Sequence, residues 1–184
     1  GPTPFDIRHR FASDFLYELP FARFWDANSA ASRLLLGGWQ LGGIFVAETG
    51  APFHAEMPQA FRNQRIDYIG GETYVNDPNN RLVYLNRAAF AAVPIVTASG
   101  ASARPGTLGR GALRLPGFWN IDLALSKNLR FTETIGLQIR ADMFNAFNHT
   151  SFSGVNSNIT NSNFGRFTSA RDARTVQFNV RLTF

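Results

Sequence analysis

The chain contains no cysteine. Disulfides, thiolate metal sites and cysteine nucleophiles are therefore excluded. Lysine is almost absent too. Of the 18 lysines and arginines only Lys127 is a lysine, and the arginines are spread along the chain without clustering. A net charge of +5 distributed in this way marks a solvated face, and no nucleic-acid partner is expected. The three histidines, His9, His54 and His149, lie in separate segments without ligand spacing, so no metal site is expected. No nucleophile, base and orienting group converge in sequence. We expect no catalytic or cofactor-binding residues and no cofactor, and the chain is not expected to be an enzyme. Long apolar runs are missing as well. None approaches the roughly 18 residues of a transmembrane helix, which leaves open crossing by short alternating strands. No basic-then-apolar leader precedes the first segment, and the numbering begins at Gly1 instead of a methionine. We expect the numbered chain to be a piece of a longer protein or a processed product.

Aromatics and alternation are abundant. There are 18 Phe, 3 Trp and 4 Tyr, yet mean hydropathy is only −0.12. Apolar and polar residues must therefore be interleaved. The C-terminal stretch TVQFNVRLTF makes the point. Val176, Phe178, Val180, Leu182 and Phe184 alternate with Thr175, Gln177, Asn179, Arg181 and Thr183 up to the last position. Chain ends usually fray unless something ties them down.

Four other stretches share this rhythm. In WNIDLALSKNLRF, Trp119, Ile121, Leu123, Leu125, Leu129 and Phe131 form one face, interrupted by Lys127. Asn120, Asp122, Ala124, Ser126, Asn128 and Arg130 form the other. In IGLQIRADMFNAF, Ile135, Leu137, Ile139, Ala141, Met143 and Phe147 oppose Gly136, Gln138, Arg140 and Asp142. A three-residue link, Thr132-Glu133-Thr134, joins the two and predicts a hairpin. A helical period would put Asp122 or Arg140 on the apolar stripe. The stretches IRHRFASDFLYEL and WQLGGIFVAETG complete the set, and Gly42 and Gly43 in the second suggest a bend or a close backbone approach.

Strands are expected near residues 7–19, 39–50, 119–131, 135–147 and 174–184, with long loops near 51–118 and 148–173. Each strand spans roughly 11 to 13 residues, whereas tilted membrane strands need about 9 to 11 and soluble ones average about 5 or 6. Residues 29–34 of the link between the first two strands can hold a helical turn. Long and short connections alternate, as the two sides of a barrel require. The predicted fold is all-β, an antiparallel up-and-down transmembrane β-barrel segment of about five long strands, the last strands of a larger barrel.

Up-and-down order also sorts the aromatics. Tyr17, Trp39, Phe131 and Phe184 fall at the tight-turn end, and Trp119 and Phe147 at the other, as two aromatic girdles would. Asp122, Arg130, Arg140, Asp142 and Arg181 lie on the polar faces and are expected to line a lumen and pair there. Equal offsets from the Phe131/Ile135 end put Asp122 nearer Phe144 and leave a diagonal approach to Arg140 open, and strand register is not readable from the sequence.

Together the segments LLGGWQLGGIFVAETGAPF, GTLGRGALRLPGFWNIDLALSKNLRF, LQIRADMFNAFNHTSF and SNFGRFTSARDARTVQFNVRLTF resemble the C-terminal barrel portion of TonB-dependent outer-membrane receptors. The nearest group is the Oar-like receptors, which carry a carboxypeptidase-regulatory-like domain. The resemblance runs from about Arg8 to Phe184 and is weakest in residues 51–97. It implies a roughly 22-stranded barrel with a plugged lumen, and a place in the bacterial outer membrane, in contact with its lipid. It also implies energised uptake, driven by the TonB complex through the plug. No plug, TonB box or regulatory-like domain is visible in these residues, so the N-terminal barrel and plug of the same receptor are expected partners. The resemblance further implies that Phe178, Val180, Leu182 and Phe184 form the C-terminal signal read by the barrel-assembly machinery.

Other motifs have plainer readings. GTLGRG lacks the Lys-Ser/Thr pair of a phosphate loop and is expected to be a mobile loop approaching a strand. The asparagine-rich residues 156–163 are expected to form a solvated loop. Asn148-His149-Thr150 and Asn158-Ile159-Thr160 match a glycosylation pattern by chance. The main rival architecture is a secreted or periplasmic carbohydrate-binding β-sandwich, which would have short strands and one dry face. A self-standing small barrel or an oligomeric pore is the second.

Overall fold

A computed structural model describes residues 3, 5–21, 29–57, 65–96 and 98–184. Its elements in chain order are β1 (Arg10–Glu18), α1 (Ala30–Leu36), β2 (Trp39–Glu48), β3 (Pro52–Phe53), β4 (Asp67–Tyr68), β5 (Phe90–Ala91) and β6 (Ile95–Val96). There follow β7 (Ala101–Ser102), β8 (Leu113–Arg114), β9 (Phe118–Arg130), β10 (Gly136–Phe144), β11 (Phe152–Val155), β12 (Phe167–Ala170) and β13 (Thr175–Thr183). The chain divides into two units. One holds residues 10–47, 119–150 and 172–184, the other residues 1–9, 48–118 and 151–171.

The first unit is a sheet of five strands in the order β1-β2-β9-β10-β13. Neighbours in the sheet are also successive strands of the unit, so the topology is up-and-down. Four of the strands have 9 or 10 residues and β9 has 13. The tight turn is closed by Phe131 N–H donating to the Ile135 carbonyl at 3.0 Å and Ile135 N–H to the Thr132 hydroxyl at 2.9 Å. Register follows from it. Gly136 lies opposite Arg130 on one side and Thr183 on the other. Because side chains alternate along each strand, this register stacks like with like. Leu129, Leu137 and Leu182 share one row, and Leu125, Ala141 and Phe178 another. On the opposite face run Asn128, Gln138 and Arg181, then Ser126, Arg140 and Asn179.

Glycine 43 is where β1 and β9 crowd β2. A Cβ there would sit 2.6 Å from the Phe15 ring and 2.9 Å from the Leu123 side chain. The missing side chain lets an aromatic lie across the strand.

Helix α1 begins at Ser29, whose hydroxyl accepts from Ser32 N–H, while the Ser32 hydroxyl accepts from Ser29 N–H. This reciprocal capping box sets the N-terminus of a helix only 7 residues long.

The second unit differs from the loops expected there. Two-stranded pairs β3/β8, β4/β5, β6/β7 and β11/β12 surround a core of Ala55, Met57, Ile66, Leu85, Ala89, Phe90, Val93, Leu108, Leu113, Ile159 and Phe164. These apolar residues are separated by turn residues at irregular intervals. They show no period, so only their long-range meeting reveals a core. In residues 106–111, expected to be a mobile loop, Gly106, Leu108 and Gly111 are buried and Leu108 joins this core, while Thr107, Gly109 and Arg110 are exposed. A Cβ on Gly106 would collide with the Arg65 and Ile66 carbonyls, and Leu108 N–H donates to the Ile66 carbonyl at 3.0 Å. The asparagines of residues 156–163 are turn formers. Asn156 Oδ1 accepts from Asn158 N–H, Asn158 Oδ1 from Thr160 N–H, and Asn161 Oδ1 from Asn163 N–H.

An ion pair braces this unit. Arg104 grips Asp67 with two bonds, Nη1 to Oδ1 at 2.8 Å and Nη2 to Oδ2 at 2.6 Å, and Thr107 N–H donates to the same carboxylate at 3.0 Å. The Arg104 guanidinium holds the Asp67 carboxyl down to about 2 against a burial effect of opposite sign. Elsewhere in the unit, burial pushes the Tyr84 phenol upward, and its hydroxyl donates to the Arg114 carbonyl at 2.7 Å.

Candidate functional site

The sheet's two faces are its functional feature, and each polar side chain reaches its place through strand parity. On the polar face a trough of about 680 Å³ passes over Gly42 and Ala124, where side chains are smallest, between Asp14, Asp122, Arg140 and Asp142. Arg140 Nε donates to Asp142 Oδ1 on the same strand at 2.8 Å, and Asn179 Nδ2 donates to Asp142 Oδ2 across to β13 at 3.1 Å. Gln138 Nε2 donates to Asn128 Oδ1 at 2.9 Å. Amides thus tie three strands together on this face.

Asp122 and Arg140 do not meet. Register sets Asp142 opposite Ala124, so Asp122 lies a row further on, level with Phe144. Its Oδ1 instead accepts from Asn120 Nδ2 at 2.7 Å and from Asn145 N–H at 2.8 Å. Arg130 and Arg181 stand exposed near the tight-turn end of the same face.

The apolar face is interrupted by Lys127; its side chains on β1 and β13 are exposed, and those on β2, β9 and β10 mostly half-buried. Phe178, Val180 and Leu182 on β13 are 74, 70 and 59 % exposed, and Phe184 just beyond the strand is more exposed still. Tyr17, Trp39, Phe131 and Phe184 all lie at strand ends near the tight turn, and Trp119 and Phe147 at the opposite end. Trp119 stacks on the His149 imidazole with ring centroids 4.1 Å apart. The remaining histidines serve locally: His54 Nδ1 accepts from Gly111 N–H, and the His9 backbone pairs with Thr49. No group of three or more His, Cys, Asp or Glu able to hold a metal ion occurs among the described residues.

Lys127 breaks the apolar face in sequence, and the structure supplies the reason, which sequence reading missed. It is only 7 % exposed. Its ammonium donates to the Leu35 carbonyl at 2.7 Å and to the Gly37 carbonyl, both at the C-terminal end of α1, and lies 5.1 Å from the Trp39 ring centre. The Trp39 indole N–H donates to the same Leu35 carbonyl at 3.0 Å. Carbonyls in the last turn of a helix have no partner inside it, and here a cation and an indole supply one. The available signal was the lone lysine itself, set on an apolar stripe in a chain that otherwise uses arginine.

A long-stranded, up-and-down antiparallel sheet with one predominantly apolar face and one polar face is the wall of a membrane-spanning β-barrel. The family described as Outer membrane beta barrel domain matches residues 1–177, and the chain belongs to it. The protein is therefore an outer-membrane barrel protein of a Gram-negative-type cell, in contact with the lipid of that membrane. No curated protein and no solved structure matches the chain.

Proposed function

We propose that this wall is the C-terminal part of a TonB-dependent receptor of the Oar-like group, acting in energised uptake of a substrate across the outer membrane. The observation that carries the reading is the motif set, with LQIRADMFNAF falling on β10 and its following turn and TVQFNVRLTF on β13. In this reading the apolar rows face lipid and the polar rows a lumen. The tight turn is periplasmic, and the segments of the second unit are extracellular. The N-terminal barrel and plug of the same receptor complete the pore, and the TonB complex acts through the plug. Phe178, Val180, Leu182 and Phe184 serve as the signal for the barrel-assembly machinery. The wall binds and encloses; it catalyses no reaction.

A carbohydrate-binding sandwich fits less well, because it would bury β13's apolar side chains between two sheets, and these are exposed. The reading is tested with the intact receptor and the purified periplasmic domain of TonB. Retention of the receptor on immobilised TonB domain is expected. A folded, membrane-extracted receptor that shows no retention would overturn the TonB assignment.

A further inference from the structure

The latch between Lys127 and α1 lies on the face that meets lipid. By register Lys127 is level with Ile139 and Val180. It lies three residues inside the end of β9 at Arg130, which at the rise of a strand is about 10 Å from the strand end. A charge at that depth on a lipid-facing strand would ordinarily be costly. Here it is covered by the C-terminal end of a helix, whose last three residues are Leu34, Leu35 and Leu36. Leu34 and Leu36 are half-buried, whereas Leu35 is 67 % exposed. A leucine held outward by a helix clamped on lipid-facing surface has hydrocarbon as its natural neighbour. Trp39 beside it has an apolar ring and an N–H spoken for, the amphipathic form favoured where bilayer meets water.

We propose that α1 is a membrane-interface helix, seated on the outer face of the barrel wall near the tight-turn end. It inserts Leu35 at the boundary of headgroups and acyl chains and is held in place by Lys127. The partner is the lipid leaflet itself. The helix is too short to bind alone, so the strand must hold it. Lys127 does so by occupying the Gly37 carbonyl and sharing the Leu35 carbonyl with the Trp39 indole, and the helix in return shields the ammonium from hydrocarbon. The proposal rests on the lipid assignment of the apolar face.

Residues 1–184 contain no cysteine, and any cysteine elsewhere in the intact protein is replaced by serine before labelling. In the intact protein reconstituted into phosphatidylcholine vesicles, Leu35→Cys and Phe178→Cys each carry an environment-sensitive fluorophore. Nitroxide lipids then quench from shallow or deep positions. Phe178 lies in the central row of the apolar face and reports whether that face meets lipid at all. At position 178, deep quenching is expected. At position 35, quenching should be stronger from the shallow nitroxide. Adding Lys127→Met should lower quenching at position 35 by about twofold or more, while Lys127→Arg, which keeps a donor cation, should preserve most of it. Quenching at 178 but none at 35 overturns the interface helix. Quenching at 35 unchanged by Lys127→Met overturns the latch. Absence of quenching at 178 overturns the lipid assignment beneath both.

Discussion

Asn145 has φ of 49°, in the left-handed region that asparagine tolerates better than alanine. That turn directs its amide to three groups. Nδ2 donates to the carbonyls of His149 at 3.1 Å and Asp172 at 3.0 Å, and Oδ1 accepts from His149 N–H at 2.9 Å. One side chain thus fastens the end of β10 to the approach to β13. Asn145→Ala should cost about 2–4 kcal/mol, combining lost bonds with backbone strain. Asn145→Gly should relieve the strain and lose only the bonds. Urea unfolding in detergent separates the two, and equal losses would show that strain contributes nothing. A second residue-scale prediction concerns Asp67. Its carboxyl is held at about 2, below the ordinary 3.8. A depressed carboxyl stabilises the folded form fully above its ordinary value, and that contribution disappears as pH falls through the folded value. Resistance of residues 65–108 to pepsin should therefore decline between pH 3.8 and about 2. Asp67→Asn should be less resistant at pH 4 and show a flatter decline. A variant with the parent's profile would mean that the Arg104 pair does not brace the unit.

Strands carry the next level of organisation, because register turns separate residues into rows. Ala141 lies between Leu125 and Phe178 on the apolar face, while Gln138 lies between Asn128 and Arg181 on the polar one. Arginine at position 141 should cost about 2–4 kcal/mol, the penalty of a charge at the bilayer midplane, and at 138 less than about 1 kcal/mol. Unfolding from lipid vesicles measures both. Similar costs at the two sites would contradict the assignment of faces. The strands, their pairing and the polar row were legible in sequence, since a two-residue period states which side chains share a face. Register was not legible: equal offsets from the tight turn put Asp122 nearer Phe144, and the observed pairing fixed its row. The partners of Asp122 were not legible, because Asn145 N–H reaches it only through the left-handed turn after β10.

At the scale of the whole molecule, the sheet has an unpaired edge at each side among the described residues, β1 and β13. Open edges in a hydrocarbon layer leave backbone groups without partners, so a barrel must close on further strands. Every residue of β13 is exposed, and in the proposed receptor it forms the closing seam. Deleting Phe184 from the intact receptor should reduce the amount of heat-modifiable barrel in the outer membrane severalfold, with ligand affinity of the assembled fraction unchanged. Normal assembly with weakened affinity would contradict the seam-and-signal role of this end.

The sequence by itself determined the class of protein. Alternation over membrane-crossing lengths and short links alternating with long ones are local properties, fixed by the backbone's period. Tertiary structure alone decided two other matters. Residues 48–118 and 151–171 share a core because Ile66, Leu85 and Ile159, far apart in the chain, are buried together, and no local period announces such a meeting. Lys127, an irregularity in an otherwise apolar stripe, became intelligible once the carbonyls of Leu35 and Gly37 were found around its ammonium. Those carbonyls lie about 90 residues away in the chain, and a charge's tolerability depends on what surrounds it in space.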